Sequence, residues 1–168
     1  FNVLTKVLAA SPGAASGQVA LDAQTAVELS KQGKRVVLVT KETSPDDIHG
    51  MSAASGLLTA RGGRTSHAAV VGRQMGKVCV VGAEEVRVDL ASRTFSVADE
   101  VIHEGDFISI DGFEGKVYKG DIPVVASEVI QVMQGNMKEV SSERYLIFST
   151  ILKWADTFRR LKIRTNAD

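Results

Sequence analysis

The run Arg35-Val36-Val37-Leu38-Val39-Thr40 leaves this chain little choice of architecture. An uninterrupted apolar, β-branched run has no polar face to offer water. As a strand it must be buried on both sides, the situation of a central strand in a parallel sheet covered by helices. The preceding residues fit that reading. Asp22 is an N-cap for a helix running to Gln32, with Ala23, Ala26, Val27 and Ser30 on one face, and Gly33 is its stop. Further upstream, residues 3–8 read as one strand, residues 11–17 as a small, flexible turn, and residues 18–21 as a short strand.

The same alternation continues downstream. Ser44-Pro45-Asp46-Asp47 combines an N-cap, a proline at the first helical position and an acid three residues after the cap, so a helix starts there and Gly56 ends it. The Asp46-Asp47 pair is explained as helix N-terminal acids and not as metal ligands. Residues 56–60 form a short apolar strand that runs into Gly62-Gly63, a helix from Ser66 to Met75 follows with Gly76 as its stop, and residues 77–81 form another strand. From Glu84 the period becomes two, over residues 86–88, 94–97, 107–111 and 116–119, with turns at Asp111-Gly112 and Glu114-Gly115. This antiparallel section completes the sheets and carries no chemistry. After Pro123 the pattern is helical, broken at Gly135-Asn136, then amphipathic with Tyr145, Phe148, Ile151, Leu152, Ala155 and Phe158 in register. That stripe packs either on its own domain or on one that is not present. The fold class is α/β.

Composition narrows the function classes. A chain of 168 residues holds one domain with a core, plus a helix or linker. Lys plus Arg and Asp plus Glu each number 20, so no net field favours nucleic acid or an anionic membrane. The lone Cys79, inside an apolar run, allows neither an intrachain disulfide nor a cysteine metal cluster and reads as a buried, inert thiol of a reducing compartment. No apolar run approaches the roughly 20 residues that span a bilayer. The start at Phe1 and the ending Thr165-Asn166-Ala167-Asp168 read as the edges of a piece of a longer protein.

The chemistry concentrates in Arg61-Gly62-Gly63-Arg64-Thr65-Ser66-His67. Two glycines open backbone conformations closed to other residues, two hydroxyls can cap the helix, and a histidine sits where first-turn N–H groups and the positive end of the helix dipole favour added negative charge. His67 reads as a nucleophile that carries phosphate, since a neutral imidazole is available near pH 7. Thr65 and Ser66 are caps, phosphate contacts, or both. Gly62 and Gly63 form a tight turn or allow a phosphate close to the backbone. Arg61 and Arg64 are plain surface charges or bidentate phosphate ligands. His49 and His103 are structural or surface residues, and three scattered histidines do not suggest a zinc site. Gly72 to Val78 faintly resembles a phosphate-binding loop, but its spacing is one short and valine replaces the hydroxyl residue, so no ATP site is read there.

Thr59-Ala60-Arg61-Gly62-Gly63 with Thr65-Ser66-His67-Ala68-Ala69-Val70-Val71 resembles the phosphohistidine motif of the phosphoenolpyruvate-utilising enzymes: the pyruvate phosphate dikinases, the phosphoenolpyruvate synthases and enzyme I of the sugar phosphotransferase system. Residues 11–17, 42–51, 75–77 and 164–168 are similar to the dikinase branch, although position 64 is arginine where that branch usually has methionine. The resemblance implies a swivelling β/β/α phosphohistidine domain over residues 1–122, a helical linker over 123–160 and, at 161–168, the start of a pyruvate-binding and phosphoenolpyruvate-binding barrel. It implies that His67 takes a pyrophosphoryl group from ATP on a nucleotide-binding domain of the same parent chain. Inorganic phosphate would remove the terminal phosphoryl, and the remaining one would pass reversibly to pyruvate on the barrel. Gly62, Gly63, Arg64, Thr65, Ser66 and Arg61 would stabilise the phosphate, and Thr65 would be a regulatory phosphorylation site. ATP and Mg2+ would be held by the other domains and none by this stretch, which alone could not complete a turnover. The implied parent is a homodimer, cytoplasmic or plastidic. The alternatives are the equivalent domain of a synthase or enzyme I, and an interaction module in which His67 is only a helix-start residue.

Overall fold

The apolar run forms a strand in which every residue is buried, β4 (Val36–Thr40), in a computed structural model that describes residues 2–160. Its neighbours are β3 (Ala14–Ala20) and β5 (Gly56–Thr59), and β6 (Val78–Val81) follows β5, all parallel. The crossovers are α1 (Ala23–Lys31), α2 (Ile48–Ala53) and α3 (His67–Gln74). Antiparallel strands extend both sides: β10 (Phe107–Asp111), β11 (Lys116–Lys119) and β1 (Val3–Lys6) beyond β3, and β2 (Leu8–Ser11) beyond β6. The resulting eight-stranded order is β1-β11-β10-β3-β4-β5-β6-β2. A second sheet holds β7 (Arg87–Asp89), β8 (Thr94–Val97) and β9 (Glu100–His103).

Side chains on alternate positions of the central strands point to two separate cores. Val37, Val39, Leu58, Val78 and Val80 join Phe95, Val97 and Ile102 of the smaller sheet. Val36, Leu38, Leu57, Cys79 and Val81 pack instead under the helices against Ala26, Met51, Ala68 and Ala69. The layers are therefore sheet, sheet and helices, the expected β/β/α arrangement.

Several sequence expectations need correction. Residues 3–8 are not one strand. The chain breaks at Val7, and β1 and β2 lie on opposite edges of the large sheet. Consecutive Cα atoms are about 3.8 Å apart, so a single intervening residue forces those edges together and the sheet rolls up. Strand propensity sees each half correctly and cannot see the change of edge. Residues 14–17 are strand and not turn, because pairing with β10 overrides the weak preference of small residues. The helix signal at Ser44 yields a 3-10 turn, Pro45–Asp47, leading into α2, with the Ser44 amide donating to Asp47 Oδ2 at 2.7 Å. That helix ends at Ala53, and Gly56 opens β5 instead of stopping it. The strand β9 has no counterpart in the sequence reading, since Glu100 and His103 flank only two apolar residues.

The described residues divide into two compact units, the first ending at Val124 and the second beginning at Val125. The second contains α4 (Glu128–Met133) and α5 (Glu143–Phe158). Ser142 caps α5, accepting from the Tyr145 amide at 3.1 Å and donating to Glu128 Oε2 at 2.8 Å. No residue of α5 is buried. The expected barrel start at residues 161–168 lies outside the described residues.

Candidate functional site

Strands β4 and β5 are parallel neighbours, so the loops leaving their C-terminal ends emerge side by side, where ligand sites of open α/β sheets form. The backbone stitches these loops together. The Ala60 amide donates to Thr40 O at 3.0 Å and the Arg61 amide to Lys41 O at 2.8 Å.

Within the turn, Thr59 Oγ1 donates to Arg61 O at 2.8 Å, and the Ser66 amide donates to Gly63 O at 3.0 Å. Gly62 has φ 110°, and a Cβ there would lie 2.8 Å from Ser66 Cβ, so any other residue would be strained and would push Ser66 aside. Gly63 needs neither freedom; a Cβ there meets open space. Ser66 is the N-cap of α3, its Oγ accepting from the Ala69 amide at 3.4 Å. Thr65 is exposed and caps nothing. Arg73, in the last turn of α3, donates from Nη2 to Arg64 O at 2.8 Å and from Nη1 to Ala10 O of β2 at 3.0 Å, pinning the loop to the sheet edge.

His67 is the first residue of α3 and is half-buried. Its Nδ1 lies 3.1 Å from Thr43 Oγ1, on the loop after β4. Among the described residues Nε2 has no hydrogen-bond partner. The ring is thus fixed through one nitrogen and open at the other. Thr43 is the contact that sequence reasoning missed. Twenty-four positions separate the two residues, and only the parallel pairing of β4 and β5 brings them together.

The structure gathers Gly62, Gly63, Thr65, Ser66 and His67 at one helix start. Arg61 and Arg64 are exposed, and neither guanidinium has a partner among the described residues. His49, on α2, and His103, at the end of β9, are exposed. Among the described residues no group of three or more His, Cys, Asp or Glu could hold a metal ion. Cys79 packs beneath α3 against Ala68 O at 3.5 Å, and burial pushes its thiol up to about 12, so it is inert. Residues Gly72 to Gln74 belong to α3, so the faint phosphate-loop spacing falls on helix and not on loop. Among the described residues no helix is long and apolar enough to cross a membrane.

This geometry can be set beside known proteins. Pyruvate, phosphate dikinase of Entamoeba histolytica is 49% identical over 98% of this chain, and that of Clostridium symbiosum is 48% identical over 99%. The chain spans only 17% of the length of either relative. A solution structure of Enzyme I aligns with 61% of this chain and 36% of its own, at 26% identity and a TM-score of 0.35. The family described as PEP-utilising enzyme, mobile domain, matches residues 32–115, a span that contains β4, β5, the glycine turn and His67. With that turn and its two supporting strands inside the match, which covers half of the residues, the chain belongs to the mobile-domain family of the PEP-utilising enzymes.

Proposed function

We propose that this chain is the phosphoryl-carrier domain of a pyruvate, phosphate dikinase, with His67 as the group that is phosphorylated. The observation that carries the reading is the Thr43 contact. With Nδ1–H donating to the threonine oxygen, the lone pair of Nε2 faces outward and is the nucleophile. Attack on the β-phosphorus of ATP forms an N–P bond and breaks the P–O bond to AMP, leaving a pyrophosphoryl group on Nε2. Inorganic phosphate then takes the terminal phosphoryl as pyrophosphate, and pyruvate, as its enolate, takes the remaining one as phosphoenolpyruvate. Throughout, Nδ1 keeps its proton. First-turn N–H groups of α3, with Ser66, Thr65 and Arg64 or Arg61, would compensate the added charge. Arg64 alone points toward the synthase or enzyme I alternatives, and the dikinases that are 49% and 48% identical to this chain outweigh it.

ATP and Mg2+ belong, in this reading, to the rest of the parent chain. The described residues offer no group of three or more His, Cys, Asp or Glu that could hold a metal, so the Mg2+ that would neutralise the phosphate charge would be held with ATP on those other domains. We assign residues 1–122 to the carrier domain and 123–160 to a helical linker, supported by the division of contacts at Val124. Partners would be a nucleotide-binding domain and a pyruvate-binding barrel of the same chain, in a homodimeric parent. Thr65 is a regulatory candidate because it is exposed and adjoins the histidine loop, where a phosphate would set like charge against the transferred group.

The test supplies radiolabelled phosphoenolpyruvate and the isolated barrel region of a relative. Acid-labile, base-stable label on this chain, absent from His67→Ala, is expected. Label that persists in the variant refutes the assignment.

A further inference from the structure

Asp46 and Asp47 share the short turn that leads into α2, and the structure uses them differently. The Asp46 carboxylate is exposed and, among the described residues, makes no hydrogen bond or ion pair. Asp47 Oδ2 accepts from the Ser44 amide at 2.7 Å and from Ser44 Oγ at 3.0 Å, while the Asp47 amide donates back to Ser44 O at 3.1 Å. Hydrogen bonds to a carboxylate are the stronger kind. They close here on Ser44, the residue next to Thr43.

Thr43 depends on that closure. It lies between Lys41, whose carbonyl accepts from the Arg61 amide at 2.8 Å at the end of β4, and Ser44. Among the described residues no backbone hydrogen bond holds Glu42 or Thr43 themselves. Their course is therefore set from the two ends, and Asp47 controls one of them. Asp47 has a firm base, since α2 follows it directly and Met51 of α2 is fully buried. Gly50 lies so close to α1 that a Cβ there would fall 2.4 Å from Ala23 Cα. A capping box stabilises its own helix. This one also pins, on its other side, the segment whose hydroxyl lies 3.1 Å from His67 Nδ1.

We propose that Asp47 is a positioning residue for His67, acting through Ser44 and Thr43 to keep the imidazole proton on Nδ1 and the lone pair on Nε2. The proposal rests on the reading of His67 as the phosphorylated group. Without the grip on Ser44, the Thr43 hydroxyl strays from hydrogen-bond reach and the proton is shared between the ring nitrogens. A fraction of the molecules then carries it on the nitrogen that must attack.

The test compares the 168-residue chain with its variants by imidazole 15N shifts and by labelling from radiolabelled phosphoenolpyruvate with the isolated barrel region of a relative. Asp47→Ala should give a mixed tautomer and slow labelling about fivefold, the equivalent of one hydrogen bond. Asp47→Asn keeps an oxygen acceptor and should restore the single tautomer and most of the rate. Asp46→Ala removes a charge from the same turn and should change neither. Asp47→Ala combined with Thr43→Val should be no slower than Thr43→Val alone, because both act through one contact. Ser44→Ala keeps the amide bond and should give a smaller change of the same kind, which reads the contact even if Asp47→Ala does not fold. A single, unaltered tautomer in every folded member of the pair Asp47→Ala and Ser44→Ala overturns the proposal. So do equal effects of Asp46→Ala and Asp47→Ala, or additive slowing in the double variant. The 15N shifts need no phosphate, so an unlabelled wild-type chain refutes the carrier reading while the tautomer comparison still decides the role of Asp47.

Discussion

Gly62 and Gly63 are adjacent in sequence and unequal in what the fold asks of them. Gly62 takes a left-handed φ of 110° with Ser66 pressed against it, whereas Gly63 faces open space. Gly62→Ala should therefore lower stability by about 1–3 kcal/mol, the range for a residue forced into a sparsely populated conformation. Gly63→Ala should leave the urea midpoint nearly unchanged. If Gly63→Ala nevertheless slows labelling of His67, the open space at that position serves the incoming phosphate. Thr43 permits a second test. Thr43→Val keeps the shape of the side chain and removes the hydroxyl 3.1 Å from Nδ1. Loss of a hydrogen bond worth about 1 kcal/mol should slow phosphorylation roughly five- to tenfold. The imidazole 15N shifts should show a mixed tautomer in place of a single one, a readout that a purely structural threonine would not move.

At the scale of elements, the α1 cap couples a helix to the smaller sheet. Asp22 Oδ1 accepts from the Thr25 amide at 2.7 Å, and Oδ2 accepts from Arg93 Nη1 at 2.6 Å. Arg93 also bonds Glu104, whose Oε2 accepts from the Leu21 amide at 3.1 Å. Burial pushes the Asp22 carboxyl up, but the Thr25 amide and the Arg93 guanidinium outweigh it and hold the group below its ordinary 3.8. A depressed carboxyl stabilises the fold above its unfolded value, and that contribution is lost as pH falls through the lower folded value. Asp22→Asn keeps a good cap residue and loses the charge. Urea midpoints taken from pH 7 downward should be lower than wild type at neutral pH and should converge with it in acid, below the ordinary carboxyl range. Caps of this kind were legible in the sequence because their partners lie within a turn: Asp22 before α1 and Ser66 before α3 were both read as helix starts. The buried run of β4 and the glycine turn were legible for the same local reason. What escaped depends on distance along the chain: Thr43 reaching His67, Gly56 serving a strand, and the break at Val7.

That break governs the molecule as a whole. With β1 on one edge of the large sheet and β2 on the other, the single residue Val7 ties the edges, and its amide donates to Gly115 O at 2.6 Å. Gly115 has φ 69°, and a Cβ there would fall 2.0 Å from Val7 O and 3.1 Å from Ala9 N, directly at the junction. The closure reaches the histidine loop, because β2 supplies the Ala10 carbonyl that Arg73 grips while holding Arg64 O. Gly115→Ala should thus cost about 3 kcal/mol or more, by combining an unfavourable conformation with a backbone collision. Gly120→Ala isolates the first of these, since Gly120 also has a positive φ, 97°, but nothing near its missing side chain; it should cost about 1 kcal/mol. The difference between the two urea midpoints measures the junction itself. In the folded fraction of Gly115→Ala, faster amide exchange at β2 should be accompanied by slower phosphorylation of His67, because Arg73 then pins the loop to an edge that is no longer fixed. Equal costs for the two variants would mean that the rolled sheet does not depend on the Val7 junction.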